Sequence, residues 1–296
     1  MRFGISAYDL GAAELVELAV QAEAAGFSSL WLGEHLFMPA DYGTVHPTRE
    51  PEEERSARIV GPDTRLLDPL VALAGAAART TRIELATGIY LLPLRHPLAV
   101  ARAALTLAEL SDDRFVLGVG SGWLREEFEA LGVPFIGRGA RTEEAVEVLR
   151  AAWAGGVFDH VGEHYRFGPV QVTSVARPVP LILGGNTPVA LRRAARLADG
   201  WFASGNPSTG DALHYISELR RAEAGCERPT RLSVHVRVSP PSLADIDRFE
   251  EAGVDQLIFW AHELCPPGLD RWGRLAAAAE ALGIPDRPAT GTFRNT

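Results

Sequence analysis

Cysteine is almost missing from this chain: only Cys226 and Cys265 occur in 296 residues, far apart and in no CxxC arrangement. A disulfide-stapled scaffold is therefore excluded, and two free thiols in a reducing compartment are expected. Positive charge is also in short supply. Lys and Arg total 29 against 38 Asp and Glu, a formal net charge of −9 with a pI near 5.4, so a general affinity for nucleic acid or anionic lipid is not expected. No window approaches the roughly 18 uninterrupted apolar residues of a membrane helix. Met1 to Ser6 runs straight into an apparent strand, with no basic and then apolar leader, so a soluble, cytoplasmic protein is expected. Neither a GxSxG elbow nor an HExxH motif is found, which leaves hydrolase chemistry without a foothold.

What the sequence does contain is a repeat. A short apolar strand, a turn and an amphipathic helix recur, beginning with Phe3-Gly4-Ile5 and a helix from about Ala12 to Ala25, closed by Gly26 in the left-handed position that follows a helix. Further strands are predicted at 29–32, 83–87, 114–118, 180–183, 200–203, 232–238 and 256–260, and helices at 66–79, 97–110, from about 124, and at 141–153, 188–197 and up to about 224. Residues 157–172 alternate apolar and polar around Gly162 and read as a hairpin outside the repeat. Eight βα units imply parallel strands with right-handed crossovers, and eight favour closure into a (β/α)₈ TIM barrel. An open doubly wound sheet is disfavoured, because the first βα turn, Ser6-Ala7-Tyr8-Asp9-Leu10-Gly11, carries no dinucleotide fingerprint. No linker divides the chain, so one domain over 1–296 is expected, with insertions after the second strand and around 155–175.

Chemistry in such a barrel sits where strands end. Glu34-His35 follows the second strand: histidine can pass a proton near neutral pH and the carboxylate can tune its charge, although a hydrogen-bonded strand-end histidine is the plainer reading. Thr87-Gly88-Ile89 ends the third strand, where glycine marks a bend or a close approach. Gly118 to Trp123 and Gly184-Gly185-Asn186-Thr187-Pro188 end the fourth and fifth. Their glycines admit a phosphate or flat ring to the backbone, and the second opens a helix whose N-terminus favours an anion; ordinary capping by Asn186 or Thr187 is the alternative. His160 and His164 have metal-like spacing but no third ligand near, and are read as surface residues. The run Glu50-Pro51-Glu52-Glu53-Glu54 reads as a solvated loop.

Taken in order, Gly26 to His35, Leu85 to Ile89 with Leu94-Arg95-His96-Pro97, Arg114 to Trp123, Gly137 to Arg141, Pro180 to Asn186 and Ala198-Asp199-Gly200-Trp201 resemble the luciferase-like monooxygenase superfamily, above all its branch that uses the deazaflavin coenzyme F-420. The resemblance implies a flavin-type ring at the strand ends, buttressed by a cis non-prolyl peptide, here Gly88-Ile89. It further implies phosphate-binding loops at Gly120-Ser121-Gly122 and Gly184-Gly185-Asn186, cofactor contacts at Ser6, Thr87, Gly88 and Ile89, and proton transfer by His35 beside Glu34. Relatives that oxidise sugar phosphates carry a carboxylate where this chain has Trp123, which puts that substrate class in doubt. F-420-dependent hydride transfer to or from a small organic substrate is expected. The alternatives are an FMN-dependent monooxygenase that uses oxygen and a separate flavin or deazaflavin reductase, or a non-catalytic flavin-binding protein. The resemblance also raises a homodimer and a lid over 33–65.

Overall fold

A computed structural model describes residues 1–47, 61, 63–174, 176–227, 230–239 and 243–285. The predicted acidic run at 50–54 and most of the second half of the 33–65 loop lie outside the described residues. The strands are β1 (Arg2–Ala7), β2 (Ser29–Leu32), β3 (Glu84–Thr87), β4 (Tyr90–Leu91), β5 (Phe115–Gly120), β6 (Val157–Val161), β7 (Arg166–Gln171), β8 (Leu181–Gly184), β9 (Gly200–Ala203), β10 (Ser233–Arg237) and β11 (Gln256–Trp260). The helices are α1 (Ala12–Ala24), α2 (Pro69–Ala77), α3 (Pro97–Leu110), α4 (Arg125–Ala130), α5 (Arg138–Ala154), α6 (Pro188–Leu197), α7 (Thr209–Ala224), α8 (Leu243–Glu251), α9 (Ala261–Leu264) and α10 (Arg271–Ala281).

Strands β3-β2-β1-β11-β10-β9-β8-β5 are all parallel, and a β3–β5 pairing closes the ring, giving the expected (β/α)₈ barrel. The two-residue β4 extends the wall beside β5. Helix starts follow local chemistry. Asp68 accepts from Leu70 N and Val71 N at 3.0 and 3.1 Å ahead of Pro69, and Thr187 accepts from Ala190 N ahead of Pro188. Gly26 has φ +85°, the left-handed conformation expected after α1.

Alternation along each strand sorts the core into two parts. Leu30, Leu85, Leu117, Leu183, Trp201, Val236 and Phe259 point out against the helices. Trp31, Ala86, Val116, Ile182, Phe202 and Ile258 point in and fill the barrel. Beneath them is a polar floor. Trp31 Nε1 donates to Ser29 Oγ (2.8 Å) and Gln256 Oε1 (3.0 Å), and His235 contacts Gln256 Oε1 and Ser233 Oγ at 3.2 and 2.9 Å. Among the described residues no helix is long and apolar enough to cross a membrane.

Burial pulls His235 from its usual 6.5 down to about 4. The folded state thus binds fewer protons than the unfolded chain across that window, and the stability His235 confers above pH 6.5 is lost as pH falls toward 4. At about 1.36 kcal/mol per unit this amounts to roughly 3 kcal/mol. Urea unfolding at pH 7 and pH 4.5 should show His235→Gln losing much less stability on acidification than wild type; equal losses would contradict this account.

The 157–172 excursion is the antiparallel hairpin β6–β7. It is not a free surface arm. Glu144 on α5 lies 3.0 Å from His160 Nε2 and accepts from His164 N (2.8 Å) and Tyr165 N (2.7 Å). His160 and His164 are therefore half-buried, where surface positions were expected, because one carboxylate draws the hairpin onto the helix.

Candidate active site

The mouth of the barrel is built by the inward residues at the strand ends. Ser6 (β1), Gly120 (β5), Gly184 (β8), Arg237 (β10) and Trp260 (β11) face it, with Gly33 and Gly88 just beyond β2 and β3. The Gly88–Ile89 peptide is cis, as the resemblance implies. The neighbouring glycines make room for this segment. A Cβ on Gly118 would lie 2.1 Å from Thr87 O, and one on Gly120 would lie 1.8 Å from Ile89 Cδ1. On Gly184 it would stand 3.2 Å from Ile89 Cγ2. The missing Cβ atoms thus accommodate Thr87 and Ile89, leaving half-buried Ile89 at the mouth. The Thr87 hydroxyl is spent within the wall, donating to Gly118 O at 2.7 Å.

His35 and Glu34 are both buried but point to different partners. His35 Nδ1 lies 2.8 Å from Oε2 of Glu127 on α4, whose Oε1 accepts from Leu36 N at 2.9 Å. With the carboxylate as acceptor, Nδ1 carries the proton and Nε2 is left to exchange one; among the described residues Nε2 has no partner. Glu34 accepts from Leu91 N at 2.6 Å and from Arg95, tying β2 to β4. Burial, only partly offset by Arg95, lifts its pKa to about 6. Ionised Glu34 therefore costs stability above pH 6, a cost relieved as pH falls from 6 toward 4.5, opposite in sign to His235.

Aromatic rings surround His35. Trp123 meets it edge-on with centroids 5.7 Å apart, and Tyr42 and His46 pack on Trp123 at 6.0 and 4.9 Å. Tyr8 stands 6.5 Å from His35, its hydroxyl buried without a partner among the described residues and its pKa pushed up chiefly by burial. Residues 33–47 of the long loop are drawn over this side by Glu126, which accepts from Gly43 N (2.8 Å), Thr44 N (3.2 Å) and Thr44 Oγ1 (2.7 Å).

The two glycine loops converge on a basic cluster. Ser121 Oγ contacts Thr142 Oγ1 at 3.0 Å and accepts from Arg193 Nη1 at 3.3 Å, while Arg138 Nε donates to Gly122 O at 2.9 Å. Desolvation, then the nearby Arg125 and Arg193 charges, lowers the Arg138 pKa. Glu143 neutralises Arg193 and Arg196, but no ion pair of Arg138 is found among the described residues. The α6 N-terminus opens beside this cluster through Gly185, at φ +120°. The Asn186 side chain is committed to Ser204, donating to its carbonyl and accepting from its N–H, both at 2.9 Å. The loop's backbone N–H groups and the Thr187 hydroxyl are left for an anion.

Glu127, Arg138, Arg193 and Arg237 escaped the sequence reading. Two signals were present. The pair Glu126-Glu127 follows directly on the Gly-rich turn, and Ser233, His235 and Arg237 alternate with valines in a strand whose two faces are both buried.

The sequence has counterparts among known proteins: the family model for luciferase-like monooxygenases matches residues 2–252. The chain belongs to the luciferase-like monooxygenase family. One relative in this family is an uncharacterized protein of Mycobacterium tuberculosis, 34% identical over 82% of this chain and 83% of its own. Another is the F-420-dependent glucose-6-phosphate dehydrogenase of Nakamurella multipartita, 30% identical over 88% of this chain and 72% of that protein. Among solved structures, the coenzyme F-420-dependent tetrahydromethanopterin reductase of Methanopyrus kandleri aligns with a TM-score of 0.71 at 17% identity, covering 94% of this chain and 97% of that one. At that identity it speaks for the shared luciferase-like barrel alone.

Proposed function

We propose that this luciferase-like barrel is an oxidoreductase that uses coenzyme F-420 to act on a small organic substrate, with His35 moving the proton. The observation that carries the reading is the buried His35–Glu127 contact of 2.8 Å at the mouth of the barrel. The choice of cofactor is supported by the Nakamurella relative.

The residues fit a phosphate-bearing, flat-ringed cofactor. Arg138, Arg193, Ser121 and the α6 N-terminus would hold its phosphate, since they gather more positive than negative charge around exposed backbone N–H groups. Gly88 and Ile89 would support one face of the ring. When bound, F-420 supplies two-electron hydride chemistry. Glu127 holds His35 in the tautomer whose Nε2 can give or take a proton, and the burial of both side chains keeps that geometry fixed. Trp123, Tyr42 and Tyr8 restrict water around it and favour an unsaturated or aromatic substrate over a sugar phosphate.

Titration with F-420 and FMN, each oxidised and reduced, tests the reading. Micromolar binding of F-420 alone supports it. Binding of reduced FMN alone overturns it in favour of oxygen chemistry, and binding of neither withdraws the redox assignment. Arg138→Met should weaken F-420 about 10- to 100-fold, the worth of a charge-assisted hydrogen bond, while barely affecting a deazaflavin analogue without phosphate. Equal weakening of both ligands would remove Arg138 from the phosphate site.

A further inference from the structure

Arg237 is a buried cation with no ion pair among the described residues, the charge of Glu263 acting on it only from beyond contact distance. Its Nε and Nη2 donate to Gly205 O at 3.3 and 3.1 Å, and its Nη1 donates to Ser6 Oγ at 3.2 Å. The guanidinium lies 4.0 Å from the Trp260 ring centroid and 5.4 Å from that of Phe202. It is 9% exposed. Among the described residues no carboxylate lies within ion-pair distance of it, and Glu263 instead accepts from Ser239 Oγ at 2.9 Å. Desolvation, partly offset by the Glu263 charge, draws its pKa down to about 10, leaving it charged at neutral pH.

Most other sheltered arginines are compensated, Arg138 at the basic cluster being an exception. Arg95 pairs with Glu34, Arg271 with Glu14 and Arg193 with Glu143. Arg114 donates to the carbonyls of Ala77, Thr80 and Ile83, at and just beyond the negative end of α2. Arg237 has only neutral partners, and a desolvated charge so placed is costly unless an opposite charge arrives.

Its position in the ring suggests where that charge comes from. Around the barrel, β5 and β8 stand opposite β1 and β11, with β10 next to β11. A ligand anchored by phosphate at the Ser121–Arg138–Arg193 cluster and lying across the mouth ends near Ser6 and Arg237. We infer that Arg237, oriented by Ser6, is a receptor for a planar, delocalised anion, and that this anion is the polar pyrimidine edge of the reduced cofactor ring. The inference rests on the proposed use of F-420. A forked guanidinium matches such an edge, which gathers negative charge when the ring is reduced; a substrate carboxylate offers the same chemistry from a second source.

The test compares dissociation constants for oxidised and reduced F-420 in wild type, Arg237→Met and Arg237→Lys, with folding checked by circular dichroism. Wild type is expected to favour the reduced form. Arg237→Met should weaken the reduced form at least tenfold and the oxidised form less than twofold, a change of at least about fivefold in their ratio and equivalent to a shift of at least about 20 mV in the bound two-electron couple. Arg237→Lys, a point charge without the fork, should fall between, and it carries the test should the Met variant not fold. An unchanged ratio of the two constants overturns the inference. Benzoate added to the oxidised complex distinguishes the second source: loss of benzoate binding with an unchanged ratio assigns Arg237 to a substrate carboxylate. If wild type binds neither form of F-420, the proposed function fails before this question arises.

Discussion

Turnover of the His35→Ala protein is expected to fall by roughly 10²- to 10⁴-fold, the usual worth of a positioned general acid or base. The Kd for the cofactor should change by no more than a few fold. The separation follows from the geometry. His35 is fixed through Nδ1 by Glu127 on α4, whereas the basic cluster is assembled by β5, α5 and α6. Removing the imidazole would therefore take away the proposed proton carrier without touching the proposed anion site. Glu127→Gln should give a smaller loss in kcat and a displaced pH–rate profile, because the amide can still meet the imidazole but cannot stabilise its charged form. Leu36 N, which also donates to Glu127, reports whether the loop keeps its place; its amide exchange should be little altered in the Gln variant. A His35→Ala protein that turns over at the wild-type rate would remove His35 from the chemistry.

Gly118→Ala should be the most destabilising single-methyl change in the barrel wall. The added Cβ would stand 2.1 Å from the Thr87 carbonyl oxygen, a backbone atom with no rotamer to escape into. The same glycine's own carbonyl accepts from the Thr87 hydroxyl at 2.7 Å, so the two strands cannot part without losing a buried hydrogen bond. Overpacking of this kind costs about 1–3 kcal/mol where side chains can yield and more where backbone must move. We expect at least 4 kcal/mol, seen as a fall of about 10 °C in Tm or as failure to accumulate soluble protein. Gly43→Ala is the control, since an added Cβ there meets nothing within 4 Å, and it should melt within a degree or two of wild type. A Gly118→Ala protein as stable as the control would show that the wall relaxes freely at β3 and β5.

The contrast between these two sites shows what the sequence conveys and what it withholds. Strands such as Ser29–Leu32 and Leu181–Gly184 were legible because a barrel strand buried on both faces is written as a short apolar run between turn residues. Two of the helices with Pro at their first position, α3 and α6, were legible to the residue, whereas α2 begins at Pro69 within an expected 66–79. The glycines at 118, 120 and 184 were legible as strand-end signals, but their use was not. Sequence shows that a Cβ is absent and not which neighbour takes the space, and here Thr87 O and the Ile89 side chain take it. The partner of His35 was hidden for a related reason. Glu127 lies 92 positions away, and only the folded barrel brings α4 against the loop after β2. Arg138, Arg193 and Arg237 come from α5, α6 and β10, so no single local motif contains all three, and the Gly137–Arg141 segment showed Arg138 without its role.

The polar floor has its own consequence for traffic. Ser29, Gln256, His235 and Ser233 close the barrel below, and Trp31 and Phe202 fill the space above them. Among the described residues these side chains fill the barrel axis from below, so the mouth resembles a flask with one neck. On the proposed function, cofactor and substrate would have to use that neck in turn. The one that lies deeper arrives first and departs last, so the order of arrivals and departures is set by the stopper at the opposite end.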